Sequence, residues 1–467
     1  MFREIEQASK KSEVGLGKTR SYNEVVEHLD LLATAEYAPA SLLRMKELDR
    51  CLGNVSSKID VVVIGGTNGK SSTAHFAAKL LQEEGFKVGS SISSHILSYN
   101  ERINLSCESL SNKTFTDVVN EVVNVADMNN IKATTHEILI MSSLAHFVAE
   151  KADIALIEAN YGGKYDAVAY LNPKIAVVTR IADDDRGLLG DDLDAVAFEM
   201  MEIAKPGCWF ISSEQSKLRL QKMKDWCDTR SIKWVMPIRK LASLPYIYEQ
   251  LYGRIASLGE RIAQIYVEDI KGKFSPFLRG NLLVTQKGQR GRPTLEAKRQ
   301  AELNPVKTLK SFWNDQFNLM RCRFEFLDKE KPSILLDNAT NVDAFTNLFL
   351  GVRLLHYQKP IKGLALVLSV SKVVSQPEML KLIRYLLRKV SGQVFFVAAS
   401  DRIAAHNAEE LALQAKAMGI KAKACLTVTE AFEQAKAVVD ERDGVVVFSG
   451  SHELIREYWK QRGIKKF

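Results

Sequence analysis

The chain has 467 residues, 46% of them hydrophobic and 26% charged, with a formal net charge of +8. That balance excludes a disordered or fibrous protein, and the length allows roughly two to four compact units. No apolar run approaches the roughly 20 residues of a membrane helix, and the mild positive charge admits acidic ligands without demanding nucleic acid.

The opening MFREIEQASKKS has no apolar stretch behind its charges, so no secretory leader is read there. Residues 1–20 are polar and basic and read as a loose arm. The six cysteines (Cys51, Cys107, Cys208, Cys227, Cys322, Cys425) lack paired spacing, which fits reduced thiols in a cytoplasmic setting rather than a disulfide frame or zinc site.

Further along, short apolar runs alternate with helical stretches. IDVVVIGG (59–66) predicts a strand running into a glycine turn, and SSTAHFAAKLLQEEG (71–85) has helical apolar spacing. KVGSSIS (87–93), ADIALIEAN (152–160) and PKIAVVTRI (173–181) are further strand candidates. Strands apolar on both faces and separated by helices predict a parallel sheet covered on both sides.

In 271–310, ten Lys/Arg face two Glu. A solvated loop is the plainer reading and an anion-binding patch the alternative; few aromatics interleave, which weakens a single-strand nucleic-acid reading. Beyond it the pattern restarts with SILLDNA (333–339), GLALVLSVS (363–371), QVFFVAAS (393–400) and GVVVFSGS (444–451). The expected architecture is therefore α/β throughout. A P-loop-type parallel-sheet domain over 21–318, with helices on both faces, precedes a smaller Rossmann-like α/β domain over 319–467.

The strongest motif is Gly66-Thr67-Asn68-Gly69-Lys70-Ser71-Ser72, between a predicted strand and a predicted helix. Backbone N–H groups of such a loop converge on phosphate oxygens, aided by the helix N-terminus. Lys70 can set its ammonium against the outer phosphates, and Ser71 or Ser72 can help hold Mg2+. Counted from Gly66 the loop is shorter than the usual Walker spacing, although Gly65 lies close by.

GTNGK resembles the nucleotide loop of the Mur ligase superfamily, and the residues after it narrow the likeness to folylpolyglutamate/dihydrofolate synthases. GFKVGSSISSHILSYNERINL (85–105) is similar to that family's S-P-H-x-x-x-F-N-E-R-I segment, with Ser94 for the proline and Tyr99 for the phenylalanine. IEANYGGKYDAVAYLNP (157–173) resembles L-E-V-G-L-G-G-R-x-D-A-T-N, ILLDNATN (334–341) resembles L-D-G-A-H-N, and RCRFEFL (321–327) resembles P-G-R-x-E. SYNEVVEHLDLL (21–32) is like the family's opening helix, and the matches run in family order from about residue 21 to 455.

The resemblance implies an ATP- and Mg2+-dependent ligase. ATP phosphorylates a carboxylate, an amino acid's amine attacks the acyl phosphate, and an amide and ADP result. Cations must surround the transferring phosphoryl group, and Mg2+ wants oxygen ligands. Glu158, ending a buried strand beside Gly162 and Gly163, is the leading metal ligand, with Ser93 the matching hydroxyl; Asp166 is read as a loop organiser. Lys70, Glu158 and Asp185 form the implied catalytic set, and Ser93, Glu158 and Asp185 the metal set. From the second domain, Asp337 and Arg323 would meet the ribose and phosphate beside Asn341, with Arg321 a competing candidate for Arg323.

Three departures qualify this. The family's metal-binding histidine becomes Asp185, a harder ligand that suits Mg2+. Its carbamylated lysine becomes Met200, a poor Mg2+ ligand that helical spacing sets beside Ile203 and Ala204, so core packing is its expected role. The histidine and glycine of D-G-A-H-N become Thr340 and Asn338. His136 and His75 are read as packing histidines.

The first functional reading is a monomeric cytoplasmic ligase closing over MgATP. It would join L-glutamate to a folate-type acid whose charge a basic rim at Arg290 and Arg292 could meet. Alternatives are a nucleotide-binding homologue whose catalysis has decayed, a Mur-type ligase for another carboxylate, and, as an outsider, a P-loop phosphotransferase. Neither a membrane nor nucleic acid is an expected partner.

Overall fold

The computed structural model describes residues 17–184, 187–236, 241–278, 307–398 and 404–467. Two sheets organise them. The first has the strand order β4-β3-β2-β5-β1-β6-β7-β8. Its centre is β1 (Asp60–Gly65), flanked by β5 (Ile154–Glu158) and β6 (Ile175–Val178). Outside these lie β2 (Val88–Ser91), β7 (Trp209–Ser212) and β8 (Lys233–Trp234), each parallel to the strand on its inner side. Two antiparallel strands, β3 (Ile103–Leu105) and β4 (Glu108–Ser109), close one edge.

The second sheet has the order β13-β12-β11-β14-β10-β9. Its strands are β9 (Glu325–Leu327), β10 (Ser333–Asp337), β11 (Leu364–Leu368), β12 (Gly392–Val397), β13 (Ala422–Cys425) and β14 (Val445–Ser449). Only β9 runs antiparallel. The α/β class and the two parallel sheets read from the sequence are what the chain forms, because runs such as Val61–Ile64 and Leu364–Leu368 are buried on both faces.

The strands that sequence reading passed over are β3, β4, β7, β8, β9 and β13. Each has four residues or fewer. Such segments lie at or near sheet edges and carry too little apolar periodicity to register. The expected arm over 1–20 falls partly outside the described residues. Its last residue, Arg20, is docked, donating to Asn120 Oδ1 (3.0 Å), Asn124 Oδ1 (2.8 Å) and Asp127 Oδ2 (2.8 Å).

Among the helices packed on these sheets are α1 (Pro39–Cys51), α2 (Lys70–Glu83), α3 (Thr135–Ala149), α4 (Leu193–Met201), α5 (Tyr246–Gln264), α6 (Val342–Gln358) and α7 (His452–Gln461). Helix α5 belongs to both sheets. Gly259 lets it press on α2, since a Cβ there would lie 3.0 Å from Phe76 Cβ and from the Ala77 nitrogen. One turn from its start, Leu251 meets α6, 2.9 Å from where a Cβ on Gly351 would sit. One apolar core therefore runs without a break from Val62 and Ile64 in the first sheet to Leu335 and Val447 in the second.

Elsewhere a buried carboxylate ties α1 to α3. Glu137 accepts from Ser41 Oγ (2.6 Å), from Arg44 Nε (2.9 Å) and Nη2 (2.8 Å), and from the Thr134 amide (2.9 Å). Removing it leaves the buried Ser41 hydroxyl unmatched and Arg44 with the exposed Glu36 (2.6 Å) as its remaining carboxylate. Glu137→Ala is expected to lower the unfolding free energy by roughly 2–4 kcal/mol, measured by denaturant titration. A loss below about 0.5 kcal/mol would place this pair among surface ion pairs of no consequence.

Candidate active site

Strand register brings the site together. Ile64 of β1 pairs with Glu158 of β5, and Gly65 pairs with Val178 of β6, so three strands end at one level. Their following loops emerge side by side at the carboxyl edge, where open α/β sheets hold ligands.

The loop after β1 turns at Gly66 (φ 119°) and enters α2 at Gly69 (φ 90°), both in the region that glycine alone adopts readily. A Cβ on Gly66 would fall 2.1 Å from Thr179 Oγ1, and one on Gly69 would fall 2.7 Å from Ile255 Cδ1 of α5. The Thr67 amide donates to the Arg180 carbonyl (2.8 Å), and Thr67 Oγ1 accepts from the Ala182 amide (3.1 Å). Lys70 folds back over this loop, its Nζ donating to the carbonyls of Gly66 (2.8 Å) and Thr67 (3.3 Å). The cation thus stands over the glycine turn.

Ser71 and Ser72 are buried in the first turn of α2, and Ser71 lines a 40 Å³ cavity with His75, Ser90, Asn104 and Cys107. In that cavity's wall His75 Nε2 lies 2.9 Å from Asn318 Oδ1, and burial holds its pKa below the usual range; it packs as a neutral ring.

Next to the loop, Ser93 Oγ donates to Glu158 Oε1 at 2.8 Å, joining the expected metal ligands. Glu158 is only 3% exposed, and its Oε2 is buried without a hydrogen-bond partner among the described residues. A buried carboxylate oxygen left unmatched costs about 1–3 kcal/mol, which a hard cation beside a hydroxyl would offset. These oxygen donors therefore fit Mg2+. The third expected ligand, Asp185, lies outside the described residues. Among the described residues no group of three His, Cys, Asp or Glu could hold a metal by itself.

Asp166 is satisfied where Glu158 is not. It accepts from the amides of Tyr161 (2.8 Å), Gly162 (3.0 Å) and Val168 (3.1 Å), which shapes the double-glycine turn. Burial raises its pKa, opposed by those amides and by Lys70. Met200 on α4 is buried against the same turn, its Cγ 3.6 Å from where a Cβ on Gly162 would sit, and it shares an apolar cluster with Ile203 and Ala204. Its neighbour Glu199 accepts from the Lys164 amide (3.1 Å) and from the Tyr37 hydroxyl. His136 lies 2.9 Å from Arg102 through Nδ1, and burial followed by that charge holds its pKa well down, so it is a neutral packing group.

The second sheet faces this edge. Asn341, the N-cap of α6, and Asn68 exchange side-chain hydrogen bonds at 3.0 and 3.1 Å. Asn341 Nδ2 also donates to Asp184 Oδ2 at 2.6 Å. Asn68 Nδ2 donates to Asp343 Oδ2 at 2.9 Å. The two arginine candidates separate. Arg321 is exposed, pairs with Glu325 and lies over the Phe467 ring. Arg323 instead reaches across to Ser94 Oγ (3.3 Å).

Asp337 accepts from the amides of Phe324 (2.8 Å) and Ala339 (2.9 Å). Burial pushes its pKa up to about 6, against the pull of those amides and of Arg323. The motifs of the sequence mark neither Arg180 nor Asp343, which meet beside the loop. Their roles depend on contacts between distant segments, and no local motif signals them. The basic segment's Arg290 and Arg292 lie outside the described residues.

Residues 64–208 match the Mur ligase middle domain. The chain is 31% identical over 186 residues to the dihydrofolate synthase/folylpolyglutamate synthase of Bacillus subtilis (strain 168), which is 39% of this chain and 43% of that one. It spans a little under half the length of the curated relatives it matches first. Among solved structures it is similar to a Mycobacterium tuberculosis folylpolyglutamate synthase complexed with ADP, with a TM-score of 0.74 and 18% identity over 95% of this chain and 98% of that one. A bifunctional folylpolyglutamate synthase/dihydrofolate synthase from Yersinia pestis, complexed with AMPPNP and Mn ion, gives a TM-score of 0.71 at 18% identity, over 97% and 100%. The structural likenesses establish the fold.

Asp337 supplies a pH test. Its folded pKa of about 6 lies above the ordinary 3.8, so between those values the folded state holds more protons. Its ionisation therefore subtracts stability as pH rises through that window and adds no further change above it. The unfolding free energy of the protein minus that of Asp337→Asn should fall from pH 4 to about 6 and then level. A difference that stays constant across that window would show Asp337 to titrate normally.

Proposed function

We propose that the chain is a member of the folylpolyglutamate/dihydrofolate synthase family of Mur ligases and an ATP-dependent, ADP-forming ligase joining L-glutamate to a folate-type acid. The observation that carries this reading is the junction of a phosphate loop with a half-satisfied buried carboxylate. Lys70 stands over the glycine turn while Glu158, in register with β1, has one oxygen unmatched among the described residues, beside Ser93. The nucleotide and manganese named for the solved relatives support it.

In this reading the amides of Gly66–Lys70 and the Lys70 ammonium hold the outer phosphates. Ser93 and Glu158, with Asp185, would hold Mg2+, which when bound supplies positive charge to the phosphates. The terminal phosphoryl group of ATP passes to the carboxylate of the acid, giving an acyl phosphate and ADP. The glutamate amine attacks that carbonyl, loses a proton and displaces phosphate, leaving an amide. The part beyond 319 contributes Arg323, Asp337 and Asn341, each anchored by its own hydrogen bonds, so that two reactants are held in one geometry. We further propose a two-domain division near residue 319 and a cytoplasmic monomer. All six cysteines are free, and among the described residues no helix is long and apolar enough to cross a membrane.

A second reading, a nucleotide-binding protein that no longer ligates, draws on Met200. That thioether is 2% exposed and brings no negative charge to the turn where the family resemblance places a carbamylated lysine.

The two readings part on one assay. Full-length protein with MgATP and either dihydropteroate or tetrahydrofolate should release ADP only when L-glutamate is present. Lys70→Ala should lower that rate at least about 100-fold, because a charge-assisted contact to the transferring group is lost. Glu158→Gln should lower it together with the apparent Mg2+ affinity. No release from a protein that still binds ATP would decide for the second reading or for another acid.

A further inference from the structure

Cations beyond Lys70 gather at the mouth of the phosphate loop. After β6 the backbone runs antiparallel to the loop, with Arg180 bridged to Asn68 and its carbonyl holding the Thr67 amide at 2.8 Å. The Arg180 side chain is 57% exposed, and one nitrogen lies 2.7 Å from Asp343 Oδ1. The other oxygen of that carboxylate accepts from Asn68 Nδ2 at 2.9 Å. The Arg180 guanidinium is therefore one carboxylate away from the crest of the loop.

A second arginine stands on α5 beside the loop. Ile255 closes over Gly69, and the residue before it is Arg254. Among the described residues no ion pair holds Arg254. Burial first, and the charge of Arg180 second, lower its pKa from the usual arginine value. Two arginines set against each other beside a lysine-bearing glycine loop repel, and an anion between them removes that repulsion. Planar guanidinium forks suit phosphate oxygens, taking two at a time. The pair with Asp343 is half exposed and correspondingly weak, so a multiply charged phosphate can displace that carboxylate.

We propose that Arg180 and Arg254 form a clamp for the outermost phosphate of the bound nucleotide, with Asp343 competing for Arg180. This rests on the proposed nucleotide binding at the Gly66–Lys70 loop. The clamp discriminates triphosphate from diphosphate, and it brings the second sheet into the site through Asp343.

Calorimetric titration of the full-length protein, with Mg2+ and either a non-hydrolysable ATP analogue or ADP, tests it. Arg180→Ala is expected to weaken the triphosphate about tenfold or more while moving ADP less than about twofold, as for loss of a charge-assisted bond. Arg254→Met keeps the apolar stem and should shift the triphosphate in the same direction. Asp343→Asn, which retains an acceptor for Asn68, should bind the triphosphate as tightly or more tightly. Thermal melts of each variant confirm folding.

Equal loss for both nucleotides, or no loss, in a folded Arg180→Ala protein overturns the clamp. Weakening by Asp343→Asn comparable to that of Arg180→Ala does the same, since the pair would then be a structural clasp. Unmodified protein that binds neither nucleotide would overturn the nucleotide reading itself, and that result is distinct from failure of the clamp in a protein that binds both.

Discussion

The close approach of Gly66 to Thr179 governs the rest of the site. No side chain fits between these backbones, and the left-handed turn they permit aims the loop at the carboxyl edge of the sheet. From that turn the Thr67 amide and hydroxyl bond the strand beside it, Asn68 reaches Asn341 and Asp343 of the second sheet, and Lys70 curls back over the carbonyls it has just left. One steric constraint thereby sets the position of a cation, a neighbouring strand end and the facing sheet together.

Three carboxylates show how the same chemical group takes different work. Asp166 is saturated by backbone amides and holds a turn. Asp337 has two amides and the charge of Arg323, yet burial still lifts its pKa to about 6, and it pins the segment that presents that arginine. Glu158 has one hydroxyl for one oxygen and nothing for the other among the described residues. Only the last is left in a state that favours a cation. Between Asp166 and Glu158, both buried, the contrast follows from the number of donors each meets.

Helix α5 explains how two sheets can share a site. It packs its Gly259 face on α2, behind the phosphate loop, and its Leu251 end on α6, behind Asn341 and Asp343. Because the apolar core is continuous through it, the loop and its facing N-cap are held from behind as well as by their own hydrogen bonds. Small hydrogen-bonded contacts such as Asn68 to Asn341 need that backing, since each alone contributes only about 1 kcal/mol.

Sequence alone determined the parallel α/β class, the long buried strands and the Gly66–Lys70 turn between strand and helix. Runs such as Val61–Ile64 are apolar on both faces, and a glycine–lysine turn between strand and helix has few other uses. The pairing of Ser93 with Glu158 was legible only through family resemblance, because the two stand 65 positions apart and no local periodicity links them. What tertiary structure decided is which of two neighbouring arginines faces Ser94, where Met200 packs, and that Arg180 and Asp343 meet beside the loop. Arg321 and Arg323 are equivalent as letters, and the fold turns one toward solvent and the other toward Ser94. The charges after β6 and on α6 meet only once two sheets and a shared helix have been packed, since long-range contact, not local preference, brings them within reach.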